Sequence, residues 1–448
     1  MMLGDLVRRL CRDRSGNIAI TFALSMIPLG FLAGMALDYA TAIQKLQRLN
    51  AAADAAALAA VSPALMTQTT TQAQTVATNF FTGQVSTILG TTVAAPTVTV
   101  TQSGLVRTAT VTFTASSANT FATMLGKTSW PLSGTATASS SAAPNIDFYM
   151  MLDNSPSMAI AATTAGINTM IANTPAQNGG NGCAFACHQS NPNSTDNAGN
   201  PSGWDNYALA ASLGVVTRIQ NMATATRSLA STAAGLAAQY NTTFRMGVYT
   251  FNSTNSGNAL TTVQTPTSNL TLAGTAAGGV DVQEVCQENY IDCSTYDADT
   301  NTDFAAALTS MNSAMSTPGT GATGSSPQAI LFIVTDGVED KQATSCSQPL
   351  MVHHGISRCM QPFDISTCAT VKNRGIQIAI LYTQYYPLGS FSFYNIYIAP
   401  FASNIGPNLQ SCASPGLYFA VSTDSDITVA LTTLFNTAVQ SIESHLSN

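Results

Sequence analysis

The hydrophobic pattern of the chain changes character three times. It begins with an uncharged run from Ser15 to Leu37 that contains "IAITFALSMIPLGFLAGMAL". At about 1.5 Å per residue a helix over this run crosses a hydrocarbon core of about 30 Å, and Pro28 inside it is tolerated in a membrane helix. The following "YATAIQKLQRLNAAADAAALAAV" is rich in alanine and has neither Gly nor Pro, so the helix is predicted to continue to about Val61. After Pro63 a weaker helical stretch follows, "TQAQTVATNFFTGQVSTIL". The period then falls to two: "PTVTVTQSG", "RTATVTFTASS" and "WPLSGTATASS" alternate β-branched or apolar residues with short polar ones, as strands do. Residues 38–142 therefore read as a long helix lying on a small antiparallel sheet.

From Asn145 strands and helices alternate. "IDFYMML", "FRMGVYTF", "AILFIVT", "IQIAILYT" and "LYFAV" are continuous apolar runs, separated by helical stretches such as "YALAASLGVVTRIQNMATATRSLASTAAGLAAQY", "TDFAAALTSMNSAM" and "ITVALTTLFNTAVQSI". Strands apolar on both faces, with helices between them, predict an α/β fold: a doubly wound, mainly parallel sheet over residues 145–448. Two regions break the rhythm, one Gly/Asn/Cys-rich at about 173–206 and one Cys/His-rich at about 342–369. Both are read as disulfide-pinned insertions.

Charge gives these segments an orientation. Arg8, Arg9, Arg12 and Arg14 precede the apolar run and Asp38 follows it. Basic residues stay cytoplasmic, so residues 1–14 form a cytoplasmic leader, 15–37 a single inner-membrane anchor, and the large remainder is exported, periplasmic or at the surface. A cleaved signal peptide competes, but its apolar region is normally shorter, and "GMA" at Gly34 to Ala36 is the one weak cleavage candidate. The chain is acidic, with a net charge of −7, and only 8% of it is charged. With no basic cluster beyond the leader, nucleic acid is excluded as a partner. Cys11 lies before the anchor. Cys183, Cys187, Cys286, Cys293, Cys346, Cys359, Cys368 and Cys412 lie beyond it, an even number in an oxidising compartment and thus candidates for up to four disulfides. The short loops 183–187 and 286–293 would close most readily.

The segment "RDRSGNIAITFALSMIPLGFLAGMALDYATAIQKLQRLNAAADAAALAA" resembles the N-terminal segment of the TadE/TadG-like Flp pilus-assembly proteins. The features shared are an Arg-Asp-Arg-x-Gly start, an apolar helix, an Asp-Tyr exit and an alanine-rich helix. In pilin-like members an acidic residue near the fifth position after a cleaved glycine supports processing. Here Gly16 is followed by "NIAIT", with Thr21 at that place, a departure that favours a permanently anchored component. The resemblance implies a part in a Flp/Tad-type pilus assembly or secretion apparatus, with pilus or secretion components, or a surface ligand, as protein partners.

Candidate chemistry sits where strands end. In open parallel sheets ligands bind outside the carboxyl ends of the strands. "FYMMLDNSPSM" places Asp153, Ser155 and Ser157 there, and alternate residues of an extended loop point the same way. "AILFIVTDG" delivers Asp336 at a second strand end, and "TNTDFAAAL" opens a helix with Thr302. Two carboxylates and three hydroxyls form an oxygen-only set suited to Mg²⁺, Mn²⁺ or Ca²⁺. The bland alternative is that Asp153 caps a helix while the serines line a turn. The order of these motifs resembles the von Willebrand factor type A domain, over about Asn145 to Ser447. That resemblance implies a metal-ion-dependent adhesion site of Asp153, Ser155, Ser157, Thr302 and Asp336, with Thr300 as an alternative for the threonine.

Other chemistries are weaker. Serine hydrolysis needs a base near the serine, and none of His188, His353, His354 and His445 falls at a predicted strand end beside the serine loop. Metal-dependent hydrolysis lacks an evident proton donor, so the chain is read as a non-enzyme. "CAFACH", Cys183 to His188, has three residues between its cysteines where haem attachment needs two. "CSQPLMVHHGISRC", Cys346 to Cys359, could hold zinc, although an oxidising compartment favours a disulfide. A metal-free scaffold of the same fold is the remaining alternative.

Overall fold

The computed structural model describes residues 16–66, 68–175, 177, 180–184, 206–251, 260–282, 302–353 and 356–446. The basic leader with Cys11, most of the region 173–206 with Cys187 and His188, Cys286, Cys293, Thr300 and His354 lie outside them. The chain divides into two compact units, Met1–Ala142 and Ala143–Asn448.

In the first unit, helix α1 (Gly16–Ala60) is continuous over 45 residues, about 68 Å at the helical rise. It has two characters. Up to Leu37 its large apolar side chains, among them Ile20, Phe22, Leu24, Leu29 and Leu32, are exposed, as suits a helix surrounded by lipid. Beyond Asp38 its buried residues are mostly alanines, Ala42, Ala53, Ala56, Ala57 and Ala60, which let neighbours approach closely. They pack on α2 (Thr70–Val85) and on a four-stranded antiparallel sheet. A capping box of Thr69 and Gln72 starts α2. The sheet comprises β1 (Thr91–Val93), β2 (Thr97–Ser103), β3 (Val106–Ala118) and β4 (Ser129–Ser141), with β3 pairing all three others. Val111 and Phe113 of β3 face the core, where Phe113 stacks on Phe81 at 5.6 Å. The other face carries hydroxyl pairs, Thr110 with Thr137 at 3.1 Å and Thr112 with Thr135 at 3.2 Å. One buried and one wet face explain the period-two pattern.

The second unit runs β5 (Ile146–Asp153), α3 (Thr164–Asn173), α4 (Asn206–Ser212), α5 (Arg218–Tyr240), β6 (Phe244–Phe251), β7 (Thr261–Thr267), α6 (Leu270–Gly278), α7 (Phe304–Ala314), β8 (Gln328–Thr335), β9 (Val338–Gln342), β10 (Met351–His353), β11 (Ile356–Pro362), α8 (Cys368–Asn373), β12 (Gln377–Thr383), α9 (Ala402–Cys412), β13 (Tyr418–Val421) and α10 (Ile427–Leu446). Its main sheet has the order β13-β12-β8-β5-β6-β7, parallel throughout except for the edge strand β7. All eight residues of β5 are buried, because alternate side chains enter different cores. Phe148, Met150 and Leu152 meet Ile219, Met222 and Leu229 of α5 and Leu431 and Phe435 of α10. Tyr149 and Met151 meet Phe304 and Leu308 of α7 and Ile405 and Leu409 of α9. Both faces of the sheet are thus covered by helices.

Three local readings are refined. The long helical stretch from Tyr207 to Tyr240 is two helices, because the chain turns at Gly214 (φ 67°) and Thr217 bridges back to Ala161. Asp303, not a threonine, caps α7 by accepting from Ala306 N at 2.9 Å. The Cys/His-rich stretch contains strands: β9, β11 and β10 form a three-stranded antiparallel sheet. Cys346 and Cys359 are bonded to each other, so their thiols make no zinc site, and a second disulfide joins Cys368 to Cys412. Cys183 is also disulfide-bonded.

Candidate functional site

The order of the main sheet fixes where a ligand site can form. From β5 the chain builds outward to β6 and β7, then returns to the other flank of β5 to add β8, β12 and β13. The direction reverses between β5 and β8, and in open α/β sheets ligands bind outside the carboxyl ends of the strands at such a point. β5 ends at Asp153 and β8 at Thr335. Strand register therefore brings together residues 182 positions apart: Thr335 Oγ1 donates to Asp153 Oδ2 at 2.6 Å.

Asp153 is fully buried, and its Oδ1 accepts from Ser155 N at 2.9 Å. This bond turns the chain, so that a 3₁₀ helix over Pro156–Ala159 follows with Ser155 at its cap. Asp153 is therefore not the helix cap that the alternative reading expected; it forms the turn before that helix, and its carboxylate keeps acceptor capacity. The Ser155 and Ser157 hydroxyls lie 2.9 Å apart, hydrogen-bonded to each other. Asp336 is also fully buried. Its Oδ1 accepts from Val338 N at 3.2 Å, whereas its Oδ2 has no hydrogen-bond partner among the described residues. A buried carboxylate oxygen with nothing to accept from is costly and calls for a cation or a proton.

Gly337 makes this turn possible. Its φ is 75°, and a Cβ there would lie 2.4 Å from Ile405 Cγ2 and 2.8 Å from Leu409 Cδ1. Its N–H donates to Thr335 Oγ1 at 2.9 Å, which aims the Thr335 hydroxyl proton at Asp153. Thr302 is buried and placed by backbone pairing with Asp340, its N–H donating to Asp340 O at 2.8 Å and its carbonyl accepting from Asp340 N at 3.1 Å. β9 thereby ties the loop before α7 to the strand that follows Asp336.

Electrostatics reflect the crowding. Burial, and then the charge of Asp336, raises the Asp153 carboxyl to about 7. Burial raises Asp336 as well, opposed by the nearby Ser157 hydroxyl, the Val338 N–H and the Arg218 charge. Arg218 was not foreseen. It is buried, with Nη2 donating to Gln384 O at 2.6 Å and to Thr423 Oγ1 at 3.2 Å. It opens α5 inside a stretch that the sequence pattern marks only as amphipathic; a lone arginine among apolar neighbours was the available signal. No cluster of three or more His, Cys, Asp or Glu side chains is found among the described residues. The two buried carboxylates here, Asp153 and Asp336, lie at strand ends beside the Ser155 and Ser157 hydroxyls.

Comparison with known proteins bears on the N-terminal part. Residues 16–63 match the TadE/G-like Flp pilus-assembly family model. The match spans α1 and the residues just after it, the segment that combines the exposed apolar helix with the alanine-lined face. No curated protein matches the chain. Among solved structures, the pilus adhesin SpaC of Lactobacillus rhamnosus GG is 12% identical with a TM-score of 0.35, covering 78% of this chain and 34% of that one. The PilB minor pilin of Streptococcus sanguinis is 10% identical with a TM-score of 0.34, covering 80% and 79%. The chain spans about a third of the length of SpaC. At these scores neither likeness carries an argument.

Proposed function

We propose that the chain is a membrane-anchored component of a Flp/Tad-type pilus assembly or secretion apparatus, whose exported unit binds a protein partner through a divalent cation. The family match and the one apolar helix among the described residues that is long enough to cross a membrane support the first half. The observation that carries the second half is Asp336 Oδ2, a buried carboxylate oxygen without a hydrogen-bond partner among the described residues, at the strand ends that also hold Asp153. Strand order and the placement of Asp153, Ser155, Ser157 and Asp336 accord with a von Willebrand factor type A fold and its adhesion site.

The residues fit a hard cation. Asp153 and Asp336 supply charge that is otherwise self-repelling, and the Ser155, Ser157 and Thr302 hydroxyls supply neutral oxygens. The cation would neutralise the carboxylates and leave a coordination position open, which an acidic side chain of the partner completes. Within this chain Thr335 orients Asp153, Gly337 lets Asp336 approach, and Arg218 supplies a distant counter-charge. Mg²⁺, Mn²⁺ and Ca²⁺ are the candidates. The reading of the stretches about 173–206 and 342–369 as disulfide-pinned insertions belongs to the same proposal.

A metal-free scaffold is the second reading, favoured by one observation: Asp153 already accepts two hydrogen bonds and can hold a proton. Calorimetric titration of Mg²⁺ and Mn²⁺ into the chelator-treated full chain separates the two. Binding of one ion per chain, lost in Asp153→Ala and Asp336→Ala, supports adhesion. Absence of binding to the wild type leaves the scaffold.

A further inference from the structure

A second surface lies in the first unit, at the turn joining β3 to β4. Residues Asn119 to Thr128 form a closed loop, with Asn119 N donating to Thr128 O and Asn119 Nδ2 to Lys127 O, each at 2.9 Å. Inside it a single 3₁₀ turn spans Ala122–Leu125 and ends at Gly126 in the left-handed region. Asp38, the first charged residue after the apolar run of α1, clamps this loop. Its Oδ1 accepts from Thr120 N at 2.9 Å, and its Oδ2 from Phe121 N at 2.8 Å and Ala122 N at 2.7 Å.

The loop reaches past Asp38 toward the anchor. The Phe121 side chain packs against Gly34, where a Cβ would lie 2.7 Å from it. Gly34 is one helical turn, about 6 Å, deeper into the uncharged run than Asp38. At the tip of the loop Met124 is 75% and Leu125 56% exposed. No charge occurs between Asp38's three backbone donors and Lys127. Lys127 Nζ stands 3.4 Å from the centre of the Trp130 ring, and the Trp130 ring lies edge-on to Tyr39 at 5.9 Å. A tryptophan, a tyrosine and a lysine beside the exit of an apolar helix are what a membrane–water interface favours, with large apolar side chains below them.

Building on the anchor reading above, we propose that this turn is a second membrane contact. Phe121, Met124 and Leu125 enter the leaflet at which α1 emerges, and Tyr39, Trp130 and Lys127 sit at headgroup level. The occupant is the bilayer that α1 crosses, because the partly exposed Phe121 packs directly on the apolar run of the helix at Gly34, whose large side chains are exposed. The turn then fixes the tilt and rotation of the alanine-lined part of α1, which a single helix alone would leave free.

The test uses the full chain in phosphatidylcholine vesicles. A Leu125→Cys variant in a Cys11→Ser background is labelled under non-reducing conditions with an environment-sensitive dye. Ser103→Cys, exposed at the end of β2 opposite Val106, the first residue of β3, and roughly 40 Å away along the strand, is the aqueous control. Lipids brominated near the headgroup should remove most of the emission at position 125, blue-shift it, and leave position 103 unaffected. A position-125 dye as water-exposed as that at 103, in protein that resists alkaline carbonate extraction, would overturn the proposal while sparing the anchor. Release of the protein by carbonate would overturn the anchor and this contact with it.

Discussion

In chelator, the stability of the second unit is expected to fall as pH rises, because burial raises the Asp153, Asp336 and Glu339 carboxyls above the range of an unfolded carboxylate. Burial and the neighbouring Asp336 charge hold the folded Asp153 carboxyl at about 7, whereas an unfolded aspartate ionises near 3.9. Between those values the folded chain keeps a proton that the unfolded chain has released, so stability is full below about 4 and is lost as pH approaches 7. About three pH units at 1.36 kcal/mol each give at most about 4 kcal/mol, or a fall in Tm of roughly 8 °C for a unit of this size. Asp364 and Asp424, whose carboxyls are held low by hydrogen bonds from Ser366 and Thr164, act with the opposite sign and at lower pH. They are unchanged by Asp153→Asn, which keeps an oxygen for Ser155 N and an amide for the Thr335 hydroxyl. The assay is scanning calorimetry of the detergent-solubilised chain from pH 4.5 to 7.5, with the wild type beside Asp153→Asn. The wild type should slope downward and Asp153→Asn should slope less, since Asp336 and Glu339 still lose protons held by burial, with the variant the more stable at pH 7.5. Saturating Mg²⁺ should raise the wild-type Tm at pH 7.5 and not at 4.5, because the ligand must be deprotonated. Equal slopes in both proteins would refute the assignment of the buried proton to Asp153.

Gly337→Ala should cost about 3 kcal/mol, since the new methyl meets Ile405 and Leu409 at a positive φ, and calorimetry with Mg²⁺ should show binding weakened as Asp336 is displaced. Removing the Cys368–Cys412 disulfide, with a sequence separation of 44, should cost about 4 kcal/mol against about 3 kcal/mol for Cys346–Cys359, with a separation of 13. Paired serine variants compared by thermal melting check that order. Phe81→Ala should destabilise the first unit by about 3–5 kcal/mol, because Phe81 is fully buried against Phe113, and should leave Mg²⁺ binding by the second unit unchanged.

Much of this was legible because the chain is locally consistent. The absence of Gly and Pro after Leu37 foretells that α1 runs unbroken, and continuous apolar runs such as that ending at Leu152 foretell strands buried on both faces. The pairing of Asp153 with Thr335 could be guessed only through strand ends, since register over 182 residues is a tertiary property. The polar edge strand β7 escaped notice because "TTVQTPT" has an exposed, proline-containing pattern that a loop shares. Likewise β9, with the sequence "VEDKQ", is a strand by virtue of its pairing with β11 rather than its composition. Arg218 and the turn that Asp38 clamps are invisible to periodicity, because each depends on carbonyl or N–H groups brought in from far along the chain.

The most direct test of the cation-dependent site is an anomalous difference map from crystals of the chain grown with Mn²⁺. The account predicts one strong peak at the carboxyl ends of β5 and β8, about 2.2 Å from Asp336 Oδ2 and within coordination reach of the Ser155 and Ser157 hydroxyls. Strand ends without a peak, with Asp153 protonated and Asp336 Oδ2 bonded only to water, would contradict it.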